Sequence, residues 1–220
     1  ERDIELSELG DGLSRLRLCD AAALEAMRRS LARHGQLDLL SIFREDGQLQ
    51  VIDGFKRVRA ARALGWTALA AHVVDVGSVD AKLRLRELHD GRGLTELEEA
   101  WLVRSLYRED HLTQPAIARL LSRHKSWVFR RLMLVEALEP SVQADVRLGL
   151  IAPRAAVALS RLPRGNQQGA SVVVALADQC RQVGQVAGVA PAAEDDFGDG
   201  RVPQGVGLLL TPPVSRLGQR

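Results

Sequence analysis

A change of residue pattern near position 80 constrains the fold of this chain more than any other feature. Before it, strand-like and helix-like patterns alternate; after it, helical patterns follow one another to residue 165 without strand-like alternation. The order predicts an α+β protein, with a small α/β domain over 1–79 and an all-α domain over 80–165. Over 166–220 the sequence predicts a possible helix and then a disordered tail rich in Gly and Pro.

The first region carries a strong hairpin signal. Asp46-Gly47 separates two short apolar runs, a combination typical of a two-residue β-turn. Asp20 and Gly35 bracket a stretch with helical periodicity, as an N-cap and a C-terminal stop do. The predicted order is helix 21–34, a strand on each side of the turn, helix 55–64 and strand 69–76.

Helix start signals recur through the second region. Thr95 and Glu98 form the T-x-x-E pattern of a capping box. Thr113 and Ser126 are the predicted N-caps of the next two helices. Proline, which is tolerated in the first turn of a helix, marks two further starts near 140 and 153.

The segment 113–135 has the spacing of a helix-turn-helix. Two helical stretches are separated by about four residues, and Ala118 is small where two crossing helices must approach closely. The turn usually holds Gly, and here Ser122 occupies it. Two ordinary helices with a solvated basic face are the alternative interpretation.

Charge segregation favours the DNA-binding interpretation. The whole chain has 30 Lys and Arg against 28 Asp and Glu, for a net charge of +2. Between His111 and Val135, however, there are five Arg or Lys and no acidic residue. Such a local excess of cations suits a phosphate backbone, because each neutralised phosphate releases a counterion.

We expect the second helix of this motif to enter the major groove of DNA. Trp127 is either a groove contact or a core anchor. Residues at the start of the first helix are placed to hold a phosphate. The predicted DNA-binding residues are Thr113, Gln114, Arg123, His124, Lys125, Ser126, Trp127, Arg130 and Arg131.

A second candidate site lies where a strand passes directly into a helix. Gly54 permits close backbone approach, and Lys56, Arg57 and Arg59 add positive charge at a helix N-terminus. These residues suit a phosphate or triphosphate group. An ordinary strand-to-helix turn with a solvated basic face is the interpretation that the residues alone favour.

Several classes of protein are excluded. There is no GxxxxGK[ST] motif, so this is not a P-loop enzyme. Cys19 and Cys180 stand without a CxxC motif, which excludes a disulfide scaffold and a zinc ribbon and suggests a reducing, cytoplasmic location. No apolar run is long enough to span a membrane. We predict no metal site and no catalytic residue.

From residue 13 to residue 162 the chain resembles the ParB/Spo0J partition proteins, with their ParB/sulfiredoxin-like N-domain and central helix-turn-helix domain. The matching stretches are SLARHGQLDLLSIFRE, VIDGFKRVRAARALGW, GLTELEEAWLVRSL, LTQPAIARLLSRHKSWVFRRLMLV and LIAPRAAVAL. The resemblance implies a DNA-binding homodimer. It also implies a nucleoid-associated location and a partition ATPase as a further partner.

The resemblance also implies a site for CTP with Mg²⁺ in the N-domain. The matching nucleotide-binding residues are Gly35, Gln36, Gly54, Lys56, Arg57, Arg59 and Glu87. Phe55 and Leu88 replace a glutamate and an asparagine of the family motifs, and leucine offers no oxygen to Mg²⁺ or its waters. We therefore expect a degenerate pocket. Sulfiredoxin chemistry is excluded because Phe55 also stands where those relatives need a cysteine.

Three functions follow as hypotheses. The first is a sequence-specific DNA-binding protein of DNA partition or mobile-element maintenance, with nucleotide control weak or lost. The second is a CTP-dependent DNA-sliding clamp with slow CTP hydrolysis. The third is a protein-interaction adaptor whose helix-turn-helix is only structural.

Overall fold

The computed structural model describes residues 1–88 and 93–186, with the backbone alone for 178–186. The strands are β1 (Arg2–Glu5), β2 (Leu9–Gly10), β3 (Leu40–Glu45), β4 (Gln48–Asp53) and β5 (Ala68–Val74). The helices of the first half are α1 (Ala21–His34), α2 (Phe55–Ala63) and α3 (Ser78–Glu87). Those that follow are α4 (Glu96–Arg108), α5 (Gln114–Leu120), α6 (Lys125–Leu132), α7 (Pro140–Arg147), α8 (Pro153–Leu159) and α9 (Arg164–Val186). A 3-10 turn covers Gly12–Leu16, and a π-helical turn covers Met133–Ala137 directly after α6.

The five strands form one mixed sheet in the order β1-β5-β3-β4-β2. The predicted hairpin is confirmed: β3 and β4 are antiparallel, and Asp46 and Gly47 have φ values of 49° and 84°. Positive φ at both central residues is what a type I′ turn requires. Strand β5 runs parallel to β3, with Leu40 beside Ala71. The α+β class predicted from the sequence is therefore confirmed.

Two strands were not predicted. β1 pairs with the outer side of β5, and β2 pairs with two residues of β4 at the opposite edge. Both are short, and β1 carries three charged residues out of four. The missing apolar run explains why residue pattern alone does not find them.

Three of the four predicted N-caps, Asp20, Thr95 and Thr113, are confirmed by their side-chain hydrogen bonds. Asp20 Oδ1 accepts the N–H of Ala23 at 2.7 Å. Thr95 and Glu98 form the reciprocal capping box at the start of α4. One predicted cap is wrong: α6 begins at Lys125, and its N-cap is His124, whose Nδ1 accepts the N–H of Ser126 at 3.2 Å. Ser126 thus lies in the first turn instead of before it.

A continuous apolar cluster joins the sheet to the helices that follow it. It contains Ile42 and Val51 of the sheet, Leu106 of α4 and Val128 of α6, each completely buried. A second cluster forms under α7 and α8. Residues 1–180 make one compact unit. The division at 79 stays a prediction, since the core passes across it.

The predicted helix of the third region lies within α9. The expected Gly- and Pro-rich tail beyond residue 186 lies outside the described residues. Within the described part of the chain, no helix combines the length and the apolar character that crossing a bilayer would require.

Candidate nucleic-acid interface

Helices α5 and α6 form the predicted helix-turn-helix. Thr113 caps α5 by accepting the N–H of Ala116 at 3.4 Å. After α5, Ser122 adopts a left-handed conformation with φ of 52°. The backbone N–H of Arg123 then bonds to the carbonyl of Ala118 at 2.8 Å. Serine therefore makes the turn that glycine usually makes at this position.

Helix α6 has a buried side and an exposed side. Val128 and Leu132 are 0% and 5% exposed and pack into the main core. Lys125, Ser126 and Arg130 are exposed on the other side. The outer face of the helix is thus open over its length, as a helix that enters a DNA groove must be.

The free cations of this segment lie on its surface. In the part of the chain that the structure describes, four exposed Arg and Lys side chains of the segment make no ion pair with a carboxylate. These four are Arg119, Arg123, Lys125 and Arg130. Their charge remains available to an anionic partner, because no carboxylate of the described residues neutralises it.

Arg131 differs from these four. Its guanidinium donates to Glu99 at 2.8 Å and to Glu96 at 2.9 Å, and its side chain is only 11% exposed. It also lies 5.0 Å from the centroid of the Trp127 ring. The sequence predicts that this guanidinium binds DNA. In the structure it joins α6 to α4 instead.

Trp127 lies between two arginines. The guanidinium of Arg123 is 5.5 Å from its ring centroid, and that of Arg131 is 5.0 Å. The ring is partly buried and packs against the main core. Of the two roles left open by the sequence, these contacts favour the core anchor.

The remaining predicted residues of the interface lie at helix starts. Thr113 and His124 are exposed, and each uses a side-chain atom as a cap acceptor. Gln114 is partly buried in the first turn of α5. The structure thus brings the predicted DNA-binding residues onto α5, α6 and their joining turn, with Arg131 directed toward α4.

The second predicted site contains a cavity of about 610 Å³. Four of the predicted nucleotide residues line it: Gly35, Gly54, Lys56 and Arg57. The cavity lies where α1 and the start of α2 meet the segment before β3. Its other lining residues are Arg17, Leu18, Cys19, Met27, Ser30, Leu31, Leu37, Asp38, Asp53, Phe55 and Leu88.

Internal contacts already engage two predicted residues of this site. Arg57 donates to the carbonyls of Asp38 and Leu39 at 2.6 and 2.7 Å, and to the carboxylate of Asp53 at 2.6 Å. Gln36 pairs with both the N–H and the carbonyl of Ala70 on β5. Both side chains therefore fasten the segment before β3 to its surroundings.

Two other predicted residues lie away from the cavity. Arg59 bonds to Ser14 Oγ at 3.1 Å and lies 4.0 Å from a carboxylate oxygen of Asp11. Glu87 is exposed and does not line the cavity. Arg59 points away from the cavity that Arg57 lines, because residues 57 and 59 are separated by about 200° around the axis of α2. Sequence reasoning also missed Arg17, whose buried Nη1 has no hydrogen-bond partner within residues 1–88 and 93–186.

A polar cluster at the junction of the sheet and α4 was also missed. Lys82 is 2% exposed, and its Nζ binds Asp110 at 2.5 Å and lies 3.6 Å from Glu109. Burial raises the pKa of Glu109, but the hydrogen bond from Ser105 and the charges of Arg15 and Lys82 outweigh it. The pKa of this carboxyl is therefore lowered.

Comparison with known proteins shows what the chain is similar to. No family model matches the chain. The nucleoid occlusion protein of Halalkalibacterium halodurans is 29% identical over 126 residues, which is 57% of this chain and 44% of the relative. That of Bacillus mycoides is 30% identical over 122 residues, 54% of this chain and 42% of the relative. The chain therefore matches less than half the length of these relatives.

These relatives support a ParB/Spo0J-like family for this chain. Two solved structures of Caulobacter crescentus ParB are also similar. The complex with the centromeric parS site is 20% identical, has a TM-score of 0.47, and covers 86% of this chain and 100% of its own. The complex with CTP-γ-S is 22% identical, with a TM-score of 0.39, and covers 76% and 97%.

Several described side chains of this cavity do not suit CTP with Mg²⁺. Phe55 is 7% exposed at the first position of α2, where an anion would approach the free N–H groups. Leu37 and Leu88 add apolar surface to the cavity. Among the described residues that line the cavity, three are cationic against Asp38 and Asp53, which is little positive charge for a triphosphate. Among the described residues, no group of three or more His, Cys, Asp or Glu could hold a metal ion.

Proposed function

We propose that this ParB/Spo0J-like chain binds duplex DNA through α5 and α6. The observation that carries the proposal is a set of four exposed cations, on a helix-turn-helix without acidic residues, that have no carboxylate partner among the described residues. The phosphates of the duplex would supply the negative charge that these four cations do not find among the described residues. Neutralising them would release condensed counterions and supply sequence-independent affinity.

The roles of the side chains follow from their positions. Lys125, Ser126 and Arg130 lie on the open face of α6, where they would reach base edges in the major groove. Arg119 and Arg123 flank this face and would bind phosphates, as would the start of α5 at Thr113. Gln114 and His124 would support these contacts from the two helix starts.

Trp127 and Arg131 would position α6 without touching DNA. Arg131 is bound to two carboxylates of α4, and Trp127 stacks between it and Arg123. Preorganisation of this kind holds a reading helix at a fixed angle before it meets its partner, so less ordering is needed on binding.

The salt dependence of binding tests the proposal. Fluorescence anisotropy with a pool of random duplexes, measured from low to physiological salt, should give log Kd rising steeply with log salt concentration. The double variant Arg119→Gln/Arg123→Gln should lower the slope by about 2, since each lost phosphate contact removes about 0.9. Arg29→Gln/Arg33→Gln is the matched control, because both residues are exposed on α1. Equal slopes in both double variants would contradict the proposal.

We also propose that nucleotide control is weak or absent. The apolar side chains of Leu37, Phe55 and Leu88 in the cavity lining and the internal bonds of Arg57 support this proposal over the CTP-dependent clamp. Isothermal titration with CTP and Mg²⁺ should give no saturable binding. Saturable binding that is lost in Lys56→Ala would overturn it, because Lys56 lines the cavity.

The relatives named as nucleoid occlusion proteins support a place of action on the nucleoid. A homodimer that presents two copies of α6 would suit a palindromic site, because half-sites read by two-fold related helices repeat at a fixed spacing. Sedimentation equilibrium of the chain with and without DNA tests the dimer. From the resemblance to partition proteins, we also propose a partition ATPase as a partner and a role in DNA partition or mobile-element maintenance.

A further inference from the structure

An exposed aromatic ring lies in the middle of α6. Phe129 is 51% exposed, although Val128 beside it is 0% exposed and Leu132 only 5%. Val128 and Leu132 already supply the apolar face that α6 packs into the main core. The ring of Phe129 is therefore not needed to fasten the helix. A single exposed apolar side chain is ordinary on a protein surface, so exposure alone does not indicate a binding partner.

That position is the centre of the face proposed to enter the major groove. Lys125 and Phe129 are four residues apart, as are Ser126 and Arg130, so these pairs are neighbours on one face of the helix. All four side chains are exposed. Three of them offer hydrogen-bond donors, and Phe129 alone is apolar. A partner of this face must combine anionic and polar groups with one small apolar feature.

The major groove has one such feature. Each base pair presents hydrogen-bond donors and acceptors there, and thymine adds its C5 methyl group, which favours contact with an apolar side chain. We propose that Phe129 contacts a thymine methyl and selects sites with thymine at that position. This inference rests on the proposed binding of DNA by α6. It adds the kind of base that one side chain reads.

Charge argues against a second copy of the chain as the occupant. Phe129 is flanked by Lys125 and Arg130, neither of which has a carboxylate partner among the described residues. Two copies meeting through this face would bring like charges together, which is unfavourable. A duplex meets the same face with opposite charge.

Replacing thymine by uracil tests the contact directly. A duplex selected from a random pool by the unmodified protein is remade with each thymine changed in turn to deoxyuridine, which lacks only the methyl group. The protein should lose roughly fourfold in affinity at one or more positions, from about 0.8 kcal/mol per buried methyl-sized group. Phe129→Ala should bind the thymine and uracil duplexes equally at those positions.

Leu120→Ala is the matched control. Leu120 is a 38% exposed apolar residue at the end of α5, outside the face of α6. This variant should keep the fourfold preference for thymine. Circular dichroism should show that both variants are folded, because both positions are exposed.

The outcomes separate the two proposals. Salt-dependent binding with no thymine preference at any position would overturn the role of Phe129 and leave DNA binding intact. A thymine preference retained in Phe129→Ala would also overturn it. If Phe129→Ala differs from the unmodified protein in sedimentation equilibrium but keeps the same thymine preference, the ring serves self-association and the proposed thymine contact is wrong. No binding of any duplex would overturn both proposals.

Discussion

Arg131 on α6 donates to the carboxylate of Glu99 on α4 across 2.8 Å. Both side chains are mostly buried, at 11% and 15% exposure. The pair joins the helix proposed to read DNA to the longest helix that packs against it in the core. The same guanidinium stacks on Trp127. One arginine therefore contacts both the carboxylates of α4 and the partly buried ring of α6.

Arg131→Ala should lower both stability and DNA affinity, whereas Arg130→Ala should lower DNA affinity alone. Removing Arg131 leaves the Glu99 carboxylate partly buried and unpaired, which costs about 1–3 kcal/mol. Arg130 is exposed and makes no ion pair among the described residues, so its loss should change stability by at most about 0.5 kcal/mol. Its affinity loss should be about 1–3 kcal/mol if it touches bases.

Urea unfolding and fluorescence anisotropy measure the two effects. Equal stability of the two variants would show that the Arg131 pair does not fasten α6. Retained affinity in Arg130→Ala would remove this residue from the interface.

Local signals explain what could be predicted from the sequence. The hairpin at Asp46-Gly47 and the caps at Asp20 and Thr95 depend on residues within a few positions of each other, so the sequence displays them directly. The N-cap role of His124 was not predicted, because histidine is an uncommon N-cap and Ser126, two residues later, is of a residue type that caps more often.

Contacts between residues far apart in the sequence explain what could not be predicted from it. Arg131 meets carboxylates 32 and 35 positions earlier in the chain, and nothing in the basic pattern of 111–135 reveals them. The buried Lys82 is paired with the carboxylate of Asp110, 28 positions away. The same limit applies to Arg59, whose partner Ser14 lies 45 positions before it. Only the fold shows which cations are free and which are paired.

Thr95→Ala should destabilise the protein by about 1 kcal/mol, the usual effect of losing an N-cap acceptor. Thr95 accepts the N–H of Glu98 and also donates to its carboxylate. Because Glu98 in turn accepts the N–H of Leu18, the effect extends beyond α4. Thr95→Ser keeps the hydroxyl and should retain most of the stability. Equal midpoints of urea unfolding for the alanine and serine variants would show that the capping box is not needed.

Gly54→Ala should destabilise more than Gly65→Ala. Both glycines have positive φ, 105° and 75°. A Cβ at Gly54 would also lie 2.4 Å from Cδ2 of Leu40, whereas a Cβ at Gly65 would meet nothing within 4 Å. We expect about 1 kcal/mol at Gly65 from backbone strain alone, and at least a further 1 kcal/mol at Gly54 from crowding of the core. Thermal unfolding of both variants measures the difference, and equal losses would refute the contribution of Leu40.

Acid unfolding should become less steep in Glu109→Gln. Burial raises the pKa of Glu109, but the Ser105 hydrogen bond and the charges of Arg15 and Lys82 lower it further, so the folded pKa lies below its ordinary 4.5. A carboxyl with a depressed folded pKa stabilises the protein fully above its unfolded pKa, and that stability is lost as pH falls through the folded value. Urea unfolding from neutral pH to below 4.5 should therefore show a weaker pH dependence in the variant.

Glu25→Gln is the control for this acid effect. The hydrogen bond from Arg28 lowers the pKa of Glu25 as well, but this pair lies on the open surface of α1. High salt should erase the contribution of Glu25, because exposed pairs are screened. The contribution of Glu109 should persist in part, because its partner Lys82 is only 2% exposed. If the acid limb of Glu109→Gln matches that of the unmodified protein at both salt concentrations, the Lys82–Glu109 cluster does not link folding to pH.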